Sequence, residues 1–202
     1  MTRSLEGEKL LIATHNKGKL EEFRQLLLPY GVDVTSAGEL GLAEPEETEN
    51  TFLGNARIKA HAAMKASGMI TVSDDSGLCV DALNGDPGVY TADWAGPERD
   101  WNMAMRLVEE KLQAAAATSP DKRGGSFNCT LVVLWPNGEE RVFVGQAPGH
   151  LVWPPRGKLG HGYDPVFVPA GQDQTFAEMT HEKKNTLSHR GAALSQLLKE
   201  LF

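Results

Sequence analysis

The sequence predicts an α/β protein organised around a mixed sheet. Short apolar runs alternate with segments of helical periodicity through Val80, and a Pro-Asn-Gly cluster separates two later apolar runs. At 202 residues, 41% hydrophobic and 23% charged, the chain can bury a full core and carries no low-complexity tract. One compact domain over residues 1–202 is expected.

Lys9 to Thr14 is a short apolar run ending in a polar turn, followed by Leu20, Phe23, Leu27 and Tyr30 at helical spacing. That is strand, loop, helix. Val32 to Thr35 alternates as a second strand, and Ala43 to Asn50 is an acidic loop. From Thr51 to Ser67, Leu53, Ala56, Ala60 and Met64 share one helical face, Asn55 and Lys59 another, and Gly68 is a stop signal. Ile70 to Ser73 reads as a buried strand, broken by Asp74-Asp75-Ser76-Gly77 and resumed at Leu78 to Val80.

Asn84 to Pro97 reads as a long ordered loop, because its Tyr90 and Trp94 need a packing surface. A helix follows, with Trp101, Met105, Val108 and Leu112 on one face, and Ala114 to Gly125 reads as the most flexible segment. Phe127 to Trp135 and Arg141 to Gln146 flank Pro136-Asn137-Gly138, which predicts an antiparallel hairpin and therefore a mixed sheet. Gly149 to Gly162 is a second Gly/Pro loop that leads to a strand at Val166 to Val168. The last helix starts near Ser188 with Leu194, Leu197, Leu198 and Leu201 inward.

A formal net charge of -7 argues against a nucleic-acid polymer as partner, since that affinity comes from clustered Lys and Arg neutralising many phosphates. A single small polyphosphate needs only a few local donors and a cation. No apolar run approaches a membrane span, and Met1 to Lys9 lacks a signal peptide's apolar region, so a cytoplasmic location is expected. Cys79 and Cys129 sit singly in apolar segments and read as packing residues in a reducing compartment.

Four constellations carry possible chemistry. Thr14-His15-Asn16-Lys17-Gly18-Lys19 opens a helix with a glycine, polar donors and a cation, which suits a triphosphate; a plain helix-capping loop has the same composition. It lacks the Walker spacing. Asp74 and Asp75 at a strand end, with Glu46 and Glu47 in the acidic loop, suit Mg²⁺ shared with substrate phosphates, and one carboxylate can serve as general base to water. A turn in which Asp bonds its own backbone is the alternative, although two adjacent carboxylates repel unless a cation is near. Lys183, Lys184, Ser188, His189 and Arg190 crowd the approach to the last helix and read either as phosphate or base contacts or as a solvated basic turn capped by Ser188. Lys183 reads as solvated, whereas Arg190 sits in a helical first turn, where a cation is unfavourable and needs another reason. Finally, His161 lies between Gly160 and Gly162, where a flat ring can stack on a purine; Tyr163-Asp164-Pro165 beside it also reads as a packed turn.

Taken in order, Thr14-x-Asn16-x-x-Lys19, Asn50-Thr51-Phe52 with Asn55-Ala56 and Lys59-Ala60, Ser73 to Leu78, Gly162-Tyr163-Asp164-Pro165 and Ser188-His189-Arg190-Gly191 resemble the inosine/xanthosine triphosphate pyrophosphatase family. Each motif is weak alone; the ordered set, running from about Leu10 to the C-terminus, is specific. The resemblance implies a long, twisted mixed sheet flanked by helices, two lobes with a central cleft, and a homodimer. It implies Mg²⁺-dependent hydrolysis of ITP, dITP and XTP between the α- and β-phosphates. By position, Thr14, His15, Asn16, Lys17, Gly18 and Lys19 resemble the family's phosphate-binding segment, with Lys59 facing the phosphates beside Asn55. Glu46 and Asp75 resemble metal ligands, with Asp74 adjacent, and Asp75 also resembles the proton acceptor. Ser76, His161, Gly162, Tyr163, Asp164, Lys184, His189 and Arg190 resemble substrate contacts. The family commonly has Phe where this chain has His161, so a less apolar, titratable ring stands where base stacking is expected. Hydrolysis of modified pyrimidine nucleotides and a non-hydrolysing nucleotide sensor are the rival functions; the second leaves the carboxylate and lysine cluster without a purpose.

Overall fold

The computed structural model describes residues 4–202. The first three residues of the Met1-to-Lys9 stretch, read above as lacking a signal peptide's apolar region, lie outside them. Six strands form one sheet in the order β2-β1-β3-β4-β5-β6: β1 is Lys9–Ile12, β2 Asp33–Ser36, β3 Ile70–Val80, β4 Gly124–Leu134, β5 Glu140–Leu151 and β6 Phe167–Pro169. The α-helices are α1 (Lys17–Leu27), α2 (Phe52–Ser67), α3 (Trp101–Ala114), α4 (His181–Leu187) and α5 (His189–Leu201). Among the described residues, no helix is long and apolar enough to cross a membrane.

The first strands behave as the sequence pattern requires. β1 is apolar and lies parallel to both neighbours, with Leu10 opposite Val34 of β2 and Ile70 of β3. Five residues join β4 to β5, too few for a crossover, so these sheet neighbours are antiparallel. The turn closes through the Trp135 N–H on the Glu139 carbonyl at 2.9 Å and the Gly138 N–H on the Trp135 carbonyl at 2.9 Å. β6 is antiparallel to the end of β5, with His150 opposite Val168. The sheet is therefore mixed, as the hairpin predicts.

Four expectations change. β3 runs unbroken from Ile70 to Val80 through both aspartates, because each carboxylate meets a lysine and neither has to leave the strand for water. Gly149 to Leu151 belong to β5 and not to the loop that follows. The approach to the last helix is itself a short helix, α4, separated from α5 by Ser188 in extended conformation (φ -79°, ψ 155°). Hydrophobic periodicity cannot resolve one residue of break between two helices. The segment 114–125 is also anchored, with Ala117 buried and a short 3₁₀ turn at Pro120–Lys122.

Arg123 supplies that anchor. It is buried, its Nε donates to the Leu151 carbonyl at 2.9 Å, Nη1 donates to the Ala117 carbonyl at 3.3 Å, and Nη2 pairs with Glu109 of α3. Burial works against the Glu109 carboxylate, but Arg123 and Gln113 together hold its pKa below the usual carboxylate range. Arg123→Met should cost about 2–4 kcal/mol, because two carbonyls and a carboxylate lose their donor together. A urea midpoint unchanged from wild type would refute this.

The chain divides into two compact units. The first comprises the chain through Asp75, Thr130–Val144 and Ala193–Phe202; the second comprises Ser76–Cys129 and Gly145–Ala192. In the first, the predicted apolar face of α2 (Leu53, Ala56, Ala60, Met64) packs on Val132 and Leu134 of β4. In the second, α3 buries Met105, Val108 and Leu112 in a cluster that includes Phe127, Phe167 and Phe176.

Candidate active site

In the first unit, β1 ends and the chain turns into α1 through Thr14 to Asn16. Asn16 is the N-cap, and its Oδ1 accepts from the Gly18 N–H at 2.8 Å and the Lys19 N–H at 3.1 Å. The Thr14 hydroxyl accepts from the Asn16 N–H at 3.1 Å. The capping reading of this loop therefore holds, and those three N–H groups have protein partners. What the loop presents outward is Lys17, Gly18 and the exposed His15, whose Nε2 lies 2.8 Å from the Leu42 carbonyl.

Lys19 reaches from the first turn of α1 to Asp74, with Nζ 2.9 and 3.0 Å from its two carboxylate oxygens. Asp75 is met from a different helix: Lys59 Nζ of α2 lies 3.0 Å from Asp75 Oδ1 and 2.7 Å from Glu47 Oε1. Successive strand residues point to opposite faces, so two adjacent carboxylates are tolerated by giving each its own ammonium. Asn55, one helical turn before Lys59, is buried and accepts the Glu49 N–H at 2.9 Å, which ties the acidic loop to α2.

The electrostatics of this cluster are uneven. Burial pushes the Asp75 carboxyl up to about 6; Lys59 opposes that rise, and the nearby Glu47 and Asp74 charges add to it. Burial works against the Lys59 ammonium, yet Asp75, Asp74 and Glu47 outweigh it and raise its pKa. Asp75 Oδ2 is buried and has no hydrogen-bond partner. An acceptor oxygen held in that condition fits a cation or the proton of a water. Of the other predicted metal ligands, Asp74 has both oxygens on Lys19, and Glu46 is exposed, while its neighbour Glu47 makes the ion pair with Lys59. Among the described residues no three His, Cys, Asp or Glu side chains converge on one point; a Mg²⁺ ion shared with substrate phosphates does not require them to.

The second unit gathers the remaining predicted residues. Ser76 is half-buried in β3 just beyond Asp75. Asp164 is buried, accepts the His161 N–H at 2.8 Å and pairs with Lys184 Nζ of α4 at 2.5 Å. Gly160 makes this possible: its φ is +71°, and a Cβ there would sit 2.1 Å from Asp164 Oδ2. The result is an exposed His161 on a tightly closed turn. Tyr163 is turned inward, its hydroxyl donating to the Thr91 carbonyl at 3.0 Å and its ring edge-on to Trp101, and burial pushes its phenol pKa up. The packed-turn reading is therefore right for the Tyr163 side chain. His189 and Arg190, the first residues of α5, are buried. The imidazole of His189 stacks on Phe127 at 5.0 Å. Lys183 is exposed and donates to Gln174 Oε1 at 2.8 Å, as a solvated lysine does.

Of the two acidic-loop carboxylates read as candidates, Glu47 and not Glu46 pairs with Lys59. Two contributors escape the sequence reading: Trp101 and Phe127 back the motif residues from α3 and β4. Both aromatics read from periodicity as ordinary core positions, and nothing in their spacing distinguishes them.

Fold and site together define an α/β protein with a lysine-paired aspartate couple in its central strand and a histidine, lysine and arginine cluster at its last two helices. The chain belongs to the Ham1 family, whose profile matches residues 10–200. It is 58% identical to the dITP/XTP pyrophosphatase of Ruegeria pomeroyi, a match covering 100% of this chain and 99% of that protein. It is 54% identical to the dITP/XTP pyrophosphatase of Brucella melitensis, covering 95% and 92%. Among solved structures, a HAM1 protein from Coxiella burnetii superposes with a TM-score of 0.88 at 36% identity, covering 95% of this chain and 97% of that one.

Proposed function

We propose that this chain hydrolyses non-canonical purine nucleoside triphosphates (ITP, dITP and XTP) to the monophosphate and pyrophosphate, clearing them from the nucleotide pool. The observation that carries the reading is Asp75: a buried carboxylate with an unsatisfied oxygen, beside a lysine, in a chain 58% identical to a dITP/XTP pyrophosphatase. Asp75 accepts a proton from the attacking water and aligns that water for in-line displacement at phosphorus. Lys59 and Lys19 exchange their carboxylate partners for phosphate oxygens and neutralise charge on the departing pyrophosphate. Thr14, His15, Asn16, Lys17 and Gly18 position the phosphates, with Asn55 holding the acidic loop.

Asp75 Oδ2 is the oxygen that would hold Mg²⁺, with Glu46 and Asp74 as the further carboxylates. The ion, when bound, supplies charge neutralisation at the phosphate oxygens. His189 and Arg190 donate to the 6-oxo group of hypoxanthine and xanthine and leave the 6-amino group of adenine unmatched. Ser76, His161, Gly162, Tyr163, Asp164 and Lys184 form the rest of the nucleoside contact. The resemblance also supports one functional domain over residues 1–202, a homodimer and a cytoplasmic location.

The test is pyrophosphate release from ITP, XTP, dGTP and ATP, with Mg²⁺ and with EDTA. Fast Mg²⁺-dependent release from ITP and XTP, and slow release from ATP and dGTP, is expected. Tight ITP binding with no release would replace this reading by a nucleotide sensor, and equal turnover of all four would remove the base selectivity.

A further inference from the structure

Phe127 lies outside every motif discussed above. It stands on β4, nearly buried, and its ring lies 5.0 Å from the His189 imidazole with the planes 16° apart. It cannot turn freely, because Phe167 packs edge-on against it at 4.8 Å and 68°. Phe167 in turn stacks on Phe176 at 5.5 Å, and Lys184 Nζ sits over the Phe176 ring at 5.5 Å. One aromatic tier therefore runs from beneath His189 to beneath Lys184.

We infer that Phe127 is a positioning residue for base selectivity: its face holds the His189 imidazole in the one plane from which that ring's N–H meets the purine 6-position. The inference rests on the assignment of His189 to the base made above. The physical reason is directional. Imidazole donors lie in the plane of the ring, and a hydrogen bond weakens steeply once its angle falls away from linear. The outer torsion of a histidine is broad and roughly two-fold, so a flat face against the ring narrows the range of planes its donors can occupy. Phe127, itself fixed by a second ring, meets the imidazole by its face and not by its donor edge. Selection of 6-oxo over 6-amino requires the donor nitrogen to be held toward the base, since a loosely held neutral imidazole can present its other nitrogen, an acceptor, to the 6-amino group.

The experiment measures kcat/KM for ITP and ATP, and calorimetric binding of IMP and AMP without metal, in wild type, Phe127→Leu, Phe127→Tyr and His189→Ala. Thermal midpoints are recorded for each protein. Phe127→Leu is expected to lower the ITP-to-ATP ratio roughly tenfold, chiefly through KM for ITP, with a parallel loss in the IMP-to-AMP affinity ratio. Phe127→Tyr, which keeps the ring, should retain both ratios. Where Leu leaves the protein unfolded, Phe127→Met fills the same space without a flat face and is expected to behave as Leu does. Unchanged ratios in Phe127→Leu, with a loss in His189→Ala, would overturn the inference and leave the assignment of His189 standing. Unchanged ratios in His189→Ala would overturn both. Equal losses in the Tyr and Leu variants that follow their thermal midpoints would show a packing role and overturn the inference too.

Discussion

Asp75→Asn is expected to lower pyrophosphate release from ITP by about three orders of magnitude and, at the same time, to raise the stability of the metal-free protein. The activity loss follows because an amide cannot take a proton from water and is a weak ligand for Mg²⁺. The stability gain follows from the sign of the pKa shift. The folded carboxyl sits at about 6 against an ordinary value of 3.8, so between these values the folded state keeps a proton that the unfolded chain has released. Stability therefore falls as pH rises through that window, and the full cost is present above it. The amide has no such cost, and Lys59 keeps Glu47 as partner.

The variant should therefore be more stable than wild type by on the order of 1–2 kcal/mol at pH 7.5, with the gap closing as pH approaches 4. Thermal melts in EDTA across that range measure it. A variant that melts below wild type at pH 7.5 would show that the Lys59 pair outweighs burial. A bound divalent cation lowers the carboxyl's pKa, so adding Mg²⁺ should stabilise wild type far more than the variant.

Gly191→Ala is expected to be among the most destabilising single substitutions in the chain. A Cβ there would lie 1.8 Å from the Asn185 carbonyl oxygen and 3.2 Å from the Ser188 hydroxyl. The nearer obstacle is backbone, so α5 has to move away from α4. The Gly191 N–H also donates to Ser188 Oγ at 3.0 Å, the bond that starts α5 after the break. A cost of about 3 kcal/mol or more is anticipated, or roughly 6–12 °C in thermal midpoint. Because α4 and α5 carry Lys184, His189 and Arg190, KM for ITP should rise as well. A midpoint within about 1 °C of wild type would mean that the junction relaxes at no cost.

Much of the fold was legible along the chain. The strand-loop-helix opening, the face of α2 and its glycine stop, the amphipathic α3 and the hairpin at Pro136-Asn137-Gly138 each follow from periodicity and turn chemistry, which are local. Two adjacent aspartates at the end of an apolar strand are conspicuous by themselves, whereas Lys59 joins them, and Lys19 with it, through the ordered motifs of the family resemblance.

Pairing is a property of distance, and there the sequence was silent. That Asp74 takes Lys19 while Asp75 takes Lys59 and Glu47, and that β3 therefore runs through both aspartates unbroken, depends on two helices brought to one strand from 55 and 16 residues away. The Asn16 side chain occupies donors that the loop's composition would offer to an anion, and Tyr163 turns inward although its motif places it among ligand contacts. Arg123 falls in the segment that reads as most flexible and Phe127 at the start of a predicted strand; each acquires its role from what packs against it, Glu109 and Leu151 in one case and His189 in the other. Local pattern specifies which residues are buried and in which element, because the period of helix and strand is built into the backbone. Which buried groups face one another depends on sheet order and helix placement, which arise only when the whole chain is packed.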